Sequence, residues 1–172
     1  RENAESWLQR YSYFEAGPQL LLQAFLQRIV NGGGRKAIEQ FDVLGGEGDH
    51  PALRWTGCVP LPADSGPNGV AQMGDGTLVA TSFLEPGQPD PWGTLENGAP
   101  LGRVMAARAD GTWHTLDLGP LSGANGLAVG GDGKTLYVSE WGASRLLVVE
   151  GLARITKAIA LPFRPDNIHR LA

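Results

Sequence analysis

The clearest hydrophobic pattern in this chain is a set of three short apolar runs, at residues 127–129, 135–139 and 145–149. Gly-Gly-Asp-Gly separates the first two runs, and a turn that contains Gly142 separates the second from the third. β-Branched and aromatic runs with small turn residues between them predict tightly connected antiparallel strands. Residues 124–150 are therefore predicted to form a β-meander.

A second copy of this pattern lies upstream, and the beginning of a third lies downstream. Residues 67–80 contain an Asn-Gly pair, a Gly-Asp-Gly turn and another apolar run, and residues 165–168 open the third copy. The asparagines at these openings, Asn68, Asn125 and Asn167, follow one another at intervals of 57 and 42 residues. Repeats of about 40 to 50 residues, each a small antiparallel sheet, are typical of β-propeller blades. The pattern predicts an all-β fold, with a partial β-propeller domain over residues 31–172.

The segments between the copies are predicted as strands and one long loop. Apolar and polar residues alternate over residues 37–43, and residues 52–60 form a further predicted strand. Residues 103–109 and 113–118 flank an Asp-Gly turn, which predicts a hairpin. Residues 82–102 carry four prolines. Because proline lacks the N–H that a central strand requires, we predict a long loop there, of the kind that often lies across the mouth of a scaffold.

Residues 1–30 are predicted to be a separate N-terminal segment with two possible structures. Over residues 19–30, apolar side chains at three- and four-residue spacings suit an amphipathic helix, and the same run also suits a buried strand ending at Val30. The run is shorter than the ~20 residues that span a bilayer, so no membrane segment is predicted. The chain begins at Arg1 without a methionine and ends at Ala172 just after a repeat has begun. We therefore expect a fragment of a longer protein.

Charge and cysteine content narrow the classes of function. The chain has 14 Lys and Arg against 18 Asp and Glu, a net charge of −4, so no nucleic-acid partner is expected. A single cysteine, Cys58, excludes an internal disulfide and a cysteine-cluster metal site within the chain. We expect Cys58 to be a small buried residue at the end of a strand.

The repeated asparagines are the candidate functional residues. A single Asn-Gly pair is usually only a turn, but here the downstream Asp-Gly already supplies the turn between the strands. Equivalent positions in successive propeller blades lie on one ring, so the amide oxygens of Asn68, Asn125 and Asn167 would point to a common centre. With the carboxylate of Asp166, they form an oxygen-only set that suits Ca²⁺, which takes about 6 to 8 oxygens. Water, substrate or other residues must complete the shell.

Six sequence motifs carry a resemblance to one family. They are Val30-Asn31-Gly32-Gly33, Ile38-Glu39-Gln40-Phe41-Asp42-Val43, Pro67-Asn68-Gly69-Val70, Ala124-Asn125-Gly126-Leu127, Asp132-Gly133-Lys134-Thr135-Leu136-Tyr137-Val138-Ser139-Glu140 and Pro165-Asp166-Asn167-Ile168. At these residues the chain resembles the calcium-dependent six-bladed propellers of the paraoxonase and arylesterase type, with gluconolactonase and strictosidine-synthase-like propellers as wider relatives. Many propellers have the Asn-Gly opening, whereas Pro-Asp-Asn-Ile after Leu-Tyr-Val-Ser-Glu is more specific. The resemblance covers residues 30–172 and implies about three to four blades of a six-bladed parent.

This resemblance implies a calcium-dependent hydrolase of lactones or aryl esters. Asn68, Asn125, Asp166 and Asn167 would ligate the ion at the floor of the axial tunnel. The ion would polarise the substrate carbonyl and stabilise the oxyanion that forms when water attacks. Asp166 is also a candidate catalytic residue that assists the attacking water. Two alternatives stay open: a strictosidine-synthase-like enzyme, which need not use a metal, and a non-catalytic propeller fragment that binds a partner.

Two parts of the family's site have no counterpart in this sequence. Residues 1–30 contain no convincing match to the family's N-terminal glutamate ligand, and Gly32 stands where the animal enzymes carry a histidine after Asn31. Of the three histidines in this chain, His50 and His114 are expected at the surface. His169 lies two positions after Asn167 and is more often an ordinary exposed side chain than a base.

The tryptophans have two interpretations. Trp92, in the proline-rich loop, and Trp141, directly after a predicted strand, are candidates for the wall of an apolar substrate pocket above the metal. Alternatively, Trp55, Trp113 and Trp141 fill space between neighbouring sheets.

Overall fold

The described part of the chain is almost entirely β-structure. The computed structural model describes residues 21–27, 36–44, 52–85, 87 and 90–169, and it gives only the backbone of residues 21–27, 43–44, 52–53 and 91. The elements are β1 (Leu21–Gln27), β2 (Lys36–Leu44), β3 (Ala52–Pro60), β4 (Pro67–Gln72), β5 (Leu78–Ser82), α1 (Pro91–Glu96), β6 (Arg103–Ala107), β7 (Trp113–Thr115), β8 (Ala124–Val129), β9 (Thr135–Glu140), β10 (Arg145–Glu150) and β11 (Arg154–Ala160). The all-β prediction is confirmed at this level.

The described strands form three antiparallel sheets, each built from strands that are consecutive in the chain. Sheet I has the order β1-β2-β3, sheet II the order β4-β5-β6-β7 and sheet III the order β8-β9-β10-β11. None of the three closes on itself. The predicted meander of residues 124–150 is confirmed as the first three strands of sheet III, and the predicted hairpin after the long loop is β6 and β7.

The helical alternative for residues 19–30 is wrong over Leu21–Gln27, which form strand β1. All seven residues pair with β2, from Leu21 opposite Asp42 to Gln27 opposite Lys36. Pairing with a neighbouring strand gives the backbone groups of β1 their hydrogen-bond partners, and this tertiary context overrides a helical spacing of apolar residues. The turn predicted at residues 31–34 and the loop predicted at residues 45–49 lie outside the described residues.

Sheet II is the central layer because both of its faces are covered. One face packs on sheet III around the main core. The core side chains are Met73, Val79, Val104, Ala106, Leu116, Leu118, Leu121, Ala124, Leu127, Leu136, Val138, Leu147 and Val149. The other face packs on sheet I around a smaller core of Ile38, Leu61, Ala80 and Met105. Successive residues of a strand point to opposite faces, so β5 sends Val79 to one core and Ala80 to the other. All five residues of β5 are accordingly buried.

Three tight turns share an aspartate that is followed by a glycine with positive φ. The pairs are Asp75-Gly76, Asp110-Gly111 and Asp132-Gly133. In each, the carboxylate accepts a backbone N–H bond of 2.9 Å from a threonine two or three residues later. Glycine adopts positive φ without steric cost, which is why the chain can reverse there. The turns predicted from the Asp-Gly pairs are confirmed.

The turn at Asp132 is expected to make the stability of the fold sensitive to acid. A hydrogen bond from the Thr135 hydroxyl, with backbone N–H bonds from Thr135 and Lys134, lowers the pKa of Asp132 from 3.8 to about 2. A carboxyl whose pKa is lower in the folded chain stabilises it above pH 3.8, and this contribution is lost as the pH falls towards 2. We expect Thr135→Val to raise the pKa of Asp132 and to flatten the loss of stability over this range. Carboxyl NMR titration and urea unfolding at each pH measure both effects, and Thr135→Ser, which keeps the hydroxyl, is the control. An unchanged pKa in Thr135→Val would contradict the assignment.

Two elements were not predicted from the sequence, and one residue prediction was wrong. Helix α1 lies inside the long proline-rich loop, where Asp90 caps it by accepting the N–H of Gly93 at 3.1 Å. Strand β11 pairs with β10 at the edge of sheet III. Cys58 is exposed, not buried. It lies on β3, which pairs with β2 alone and so forms an edge of sheet I.

Candidate functional site

The four predicted ligand residues lie where two sheets begin and where the third repeat opens. Asn68 is the second residue of β4 and is half-buried, and Asn125 is the second residue of β8, with only 4% of its surface exposed. Asp166 and Asn167 follow β11 and are exposed. Strands β4 and β8 contact each other. The first strands of sheets II and III are therefore neighbours.

Glycines beside the asparagines let the three openings pack backbone against backbone. A Cβ atom on Gly69 would lie 2.5 Å from the carbonyl oxygen of Asn125. A Cβ atom on Gly126 would lie 2.7 Å from the carbonyl oxygen of Asp166 and 2.7 Å from the nitrogen of Ile168. No side chain fits at these distances, so only glycine permits this approach. The structure thus brings the backbones of all three openings together in chain order.

In the structure, the residue of the third opening that matches Asn68 and Asn125 is Asp166, one position before Asn167. The hydroxyl of Thr81 donates to the carbonyl oxygen of Asn125 at 2.6 Å, and the hydroxyl of Ser139 donates to the carbonyl oxygen of Asp166. Asp166 therefore occupies the place that Asn68 and Asn125 hold in their repeats, and Asn167 occupies the place of the glycines. Counting intervals from Asn167 overlooked this shift.

One side-chain oxygen at this place is buried without a partner. Asn125 Oδ1 is inaccessible to solvent and has no hydrogen-bond partner among the residues that the structure describes. Leaving a buried acceptor unsatisfied costs about 1–3 kcal/mol, and such groups in folded proteins usually have a ligand, ion or water to satisfy them. A neutral amide oxygen with a free lone pair is a ligand that Ca²⁺ accepts. The side chain of Asn125 therefore fits a hard cation as one ligand.

A buried carboxylate fixes the loop that leads into Asn125. Glu140 ends strand β9 with 1% of its surface exposed, and its Oε1 accepts the backbone N–H of Ser122 at 2.7 Å. Arg145 donates to the other carboxylate oxygen and balances the charge. In sheet II the hydroxyl of Ser82 has the corresponding role, since it accepts the N–H of Gly66 at 2.8 Å. Aligning the second strands of the two repeats would have revealed this pair of positions.

An aromatic cluster lies beside the same ends of the sheets. Phe83, Trp92 and Trp141 have ring centroids 5.6, 5.7 and 6.0 Å apart. Phe83 follows β5 directly, and a Cβ atom on Gly123, two residues before Asn125, would lie 3.0 Å from its ring. The backbone N–H of Trp141 donates to the carbonyl oxygen of Gly123 at 2.9 Å. The cluster is thus anchored at the opening of sheet III.

Helix α1 is tied by an ion pair to Arg164, the residue that precedes the third opening. Arg164 lies 4.5 Å above the ring centre of Trp141, and its guanidinium contacts Glu96 of α1 at 2.7 Å. A cation over an indole face is attracted by the ring's quadrupole. Trp92, on α1, is 57% exposed, so one side of the aromatic cluster faces solvent.

The other tryptophans and the histidines that the structure describes differ in burial and hydrogen bonding. Trp113 donates its indole N–H to the carbonyl oxygen of Pro60 at 2.8 Å and packs between sheets I and II, as the space-filling interpretation expected. Trp55 is 56% exposed and fills no such space. His114 is half-buried, so it is less exposed than predicted, and its inaccessible Nδ1 has no hydrogen-bond partner within the described part of the chain. His169 is exposed, and His50 lies outside the described residues.

Among the residues that the structure describes, no three His, Cys, Asp or Glu side chains come together in a metal-binding group. Asp166 is the one carboxylate in the predicted ligand set, and the other three members are amides.

Comparisons with models of protein families and with curated protein sequences gave no match. In the described part of the chain, no helix has the length and apolar character needed to cross a membrane.

Proposed function

We propose that this chain is part of a six-bladed β-propeller hydrolase that uses Ca²⁺ to cleave lactones or aryl esters. The observation that carries the proposal is the buried Oδ1 of Asn125 at the opening of sheet III, which has no partner in the described ranges of the chain. It occurs where the sequence predicted a ring of oxygen ligands, and it is the kind of group that an ion would satisfy.

The propeller part of the proposal rests on the way that the repeats follow one another. Sheets II and III are four-stranded meanders with their first strands in contact and a continuous core between them. Residues 165–168 meet sheet III through Gly126 just as residues 124–127 meet sheet II through Gly69. Repeating this step would arrange successive sheets around one axis, with their first strands innermost.

The proposed ligands are the four polar side chains at the three openings. The amide oxygens of Asn68, Asn125 and Asn167 and the carboxylate of Asp166 would hold the ion. When bound, Ca²⁺ supplies Lewis-acid polarisation of an ester carbonyl. The exposed carboxylate of Asp166 is accessible to water and is proposed to accept a proton from the water that attacks the carbonyl carbon. Glu140 and Ser82 keep the loops into the asparagines in place, which keeps the ligands oriented.

The aromatic cluster is proposed to hold the apolar part of the substrate. Trp92 and Trp141 lie at the end of the sheets where the asparagines begin, and Trp92 is accessible to solvent. Ligand sites commonly use aromatic walls with a few polar groups at their base. An aryl or lactone ring resting on this wall would place its carbonyl towards the polar residues below.

Substrate preference tests the role of this wall. We expect Trp92→Ala to raise KM for an aryl ester by about 2- to 10-fold with a small change in kcat, because an aromatic contact contributes about 0.5–1.5 kcal/mol. Trp55→Ala is a matched control, since Trp55 is 56% exposed and Trp92 is 57% exposed. Equal KM values in the two variants would remove Trp92 from the substrate site.

Chelation tests the proposed reaction as a whole. Hydrolysis of an aryl ester or lactone by the full-length protein should stop in excess EDTA and return with added Ca²⁺. Hydrolysis that persists in EDTA would point to a metal-independent propeller enzyme. Calcium binding without hydrolysis would instead favour a non-catalytic module with a structural ion.

A further inference from the structure

Two buried hydroxyls connect each repeat to the next at the ligand residues. Thr81 in sheet II and Ser139 in sheet III have no exposed surface, although both are polar. Each lies in the second strand of its sheet, near the end that adjoins the asparagine. Buried hydroxyls need partners, so their hydrogen bonds define what they do.

Each hydroxyl makes the same pair of hydrogen bonds. Thr81 Oγ1 accepts the N–H of Gly69 in its own sheet at 2.7 Å and donates to the carbonyl oxygen of Asn125 in the next sheet at 2.6 Å. Ser139 Oγ accepts the N–H of Gly126 at 2.7 Å and donates to the carbonyl oxygen of Asp166. A hydroxyl has one proton to donate, and in both residues this proton goes to the following repeat.

The acceptor of each of these hydrogen bonds is the backbone carbonyl of a predicted ligand residue. The hydroxyl therefore fixes the peptide from which the ligand side chain extends. The same hydroxyl also holds the glycine after the ligand residue of its own sheet. Thr81 holds Gly69, which follows Asn68, and Ser139 holds Gly126, which follows Asn125. The two links join Asn68 to Asn125 and Asn125 to Asp166.

We propose that Thr81 and Ser139 are positioning residues for the calcium site, which set the spacing of its ligands from one repeat to the next. This inference rests on the proposed function, since it concerns the same ion. The hydroxyls themselves do not contact the ion. Groups that orient metal ligands typically change metal affinity about 10- to 100-fold when they are removed.

Calcium titration of hydroxyl variants tests the inference. Thr81→Val keeps the size of the side chain and removes the hydroxyl, and Ser139→Ala removes the hydroxyl with a minimal change in volume. We expect both to weaken calcium binding about 10- to 100-fold. Thr81→Ser keeps the hydroxyl without adding volume and should keep the calcium affinity close to that of the original chain.

The control separates positioning from a general loss of a hydrogen bond. Thr156 also donates its hydroxyl to a backbone carbonyl, that of Val148 at 3.3 Å, but on the exposed edge strand β11. Thr156→Val should leave calcium affinity unchanged. Thermal unfolding in EDTA measures how much each substitution lowers stability in the absence of calcium. If Thr81→Val does not fold, calcium titration of Ser139→Ala alone tests the inference.

The outcomes distinguish the inference from the proposed function. If the original chain does not bind calcium, the proposed function fails and the inference fails with it. If the original chain binds calcium and both hydroxyl-free variants bind equally well, the inference alone is overturned. Lower stability in EDTA with unchanged calcium affinity would likewise assign the hydroxyls a structural role only.

Discussion

Asn125→Ala is expected to weaken calcium binding by at least about 100-fold while leaving the calcium-free chain as stable as before or more stable. The first effect follows because the substitution removes a proposed ligand, and even groups that only support ligands change affinity by up to about 100-fold. The second follows because Oδ1 of Asn125 is buried and no described residue is its hydrogen-bond partner. Removing an unsatisfied acceptor relieves a cost of about 1–3 kcal/mol, which offsets the lost side-chain contacts.

The combination of these two effects is what makes the experiment decisive. Calcium that binds only the folded chain should stabilise it by about 2.7 kcal/mol at 100 times its Kd, so Tm should rise with calcium in the original chain and not in Asn125→Ala. Asn97→Ala is the matched control, because Asn97 is an exposed asparagine at the C-terminal end of α1. If Asn125→Ala is destabilised in EDTA and still gains stability from calcium, the buried oxygen serves the fold and not an ion.

Gly126→Ala is expected to lower both the stability of the chain and its affinity for calcium. The new methyl group would lie 2.7 Å from the carbonyl oxygen of Asp166 and 2.8 Å from Cα of Asn167, so the backbone of the third repeat must move. Overpacking of this kind costs about 1–3 kcal/mol, and for a chain of this size each kcal/mol lowers Tm by about 2–4 °C. Because Asp166 and Asn167 move with their backbone, the ligand set should also be disrupted.

A second glycine provides the comparison. Gly57 on β3 has no atom within 4 Å of the place where a Cβ would lie, so Gly57→Ala should change neither property. Differential scanning calorimetry in EDTA and calcium titration measure the two effects separately. An unchanged Tm in Gly126→Ala would mean that residues 166–168 do not pack on sheet III in solution.

The sequence predicted much of the local structure of sheets II and III. Runs such as residues 135–139 follow an Asp-Gly turn, and both the strand tendency and the turn chemistry are properties of a few adjacent residues. The N-terminal strand β1 was left undecided, because an apolar run of seven residues suits a helix or a strand until a partner such as β2 is present. Helix α1 was not predicted because the prolines around it indicated a loop, and a capped helix of six residues has too few residues to show a periodic pattern.

For the candidate site, the sequence identified candidate residues but not the hydrogen bonds between them or which of them correspond from one repeat to the next. Asn125 stood out because its Asn-Gly pair is unnecessary for the turn that follows, and the structure places this residue in a buried position with an unpartnered oxygen. Thr81, Ser139 and Glu140 were not singled out, since each owes its role to a hydrogen bond with a residue 18 to 44 positions away. The one-residue offset between Asn167 and Asp166 was also hidden, because the equivalence is defined by a hydrogen bond across two repeats.

The sequence by itself determined that this chain is built from β-meanders with Asp-Gly turns and asparagine openings, because those features depend on side chains acting on their nearest neighbours. The tertiary structure alone decided which openings lie against each other, which oxygen is left without a partner and which hydroxyls link the repeats. These depend on the approach of backbones from distant parts of the chain, which glycine at residues 69 and 126 makes possible.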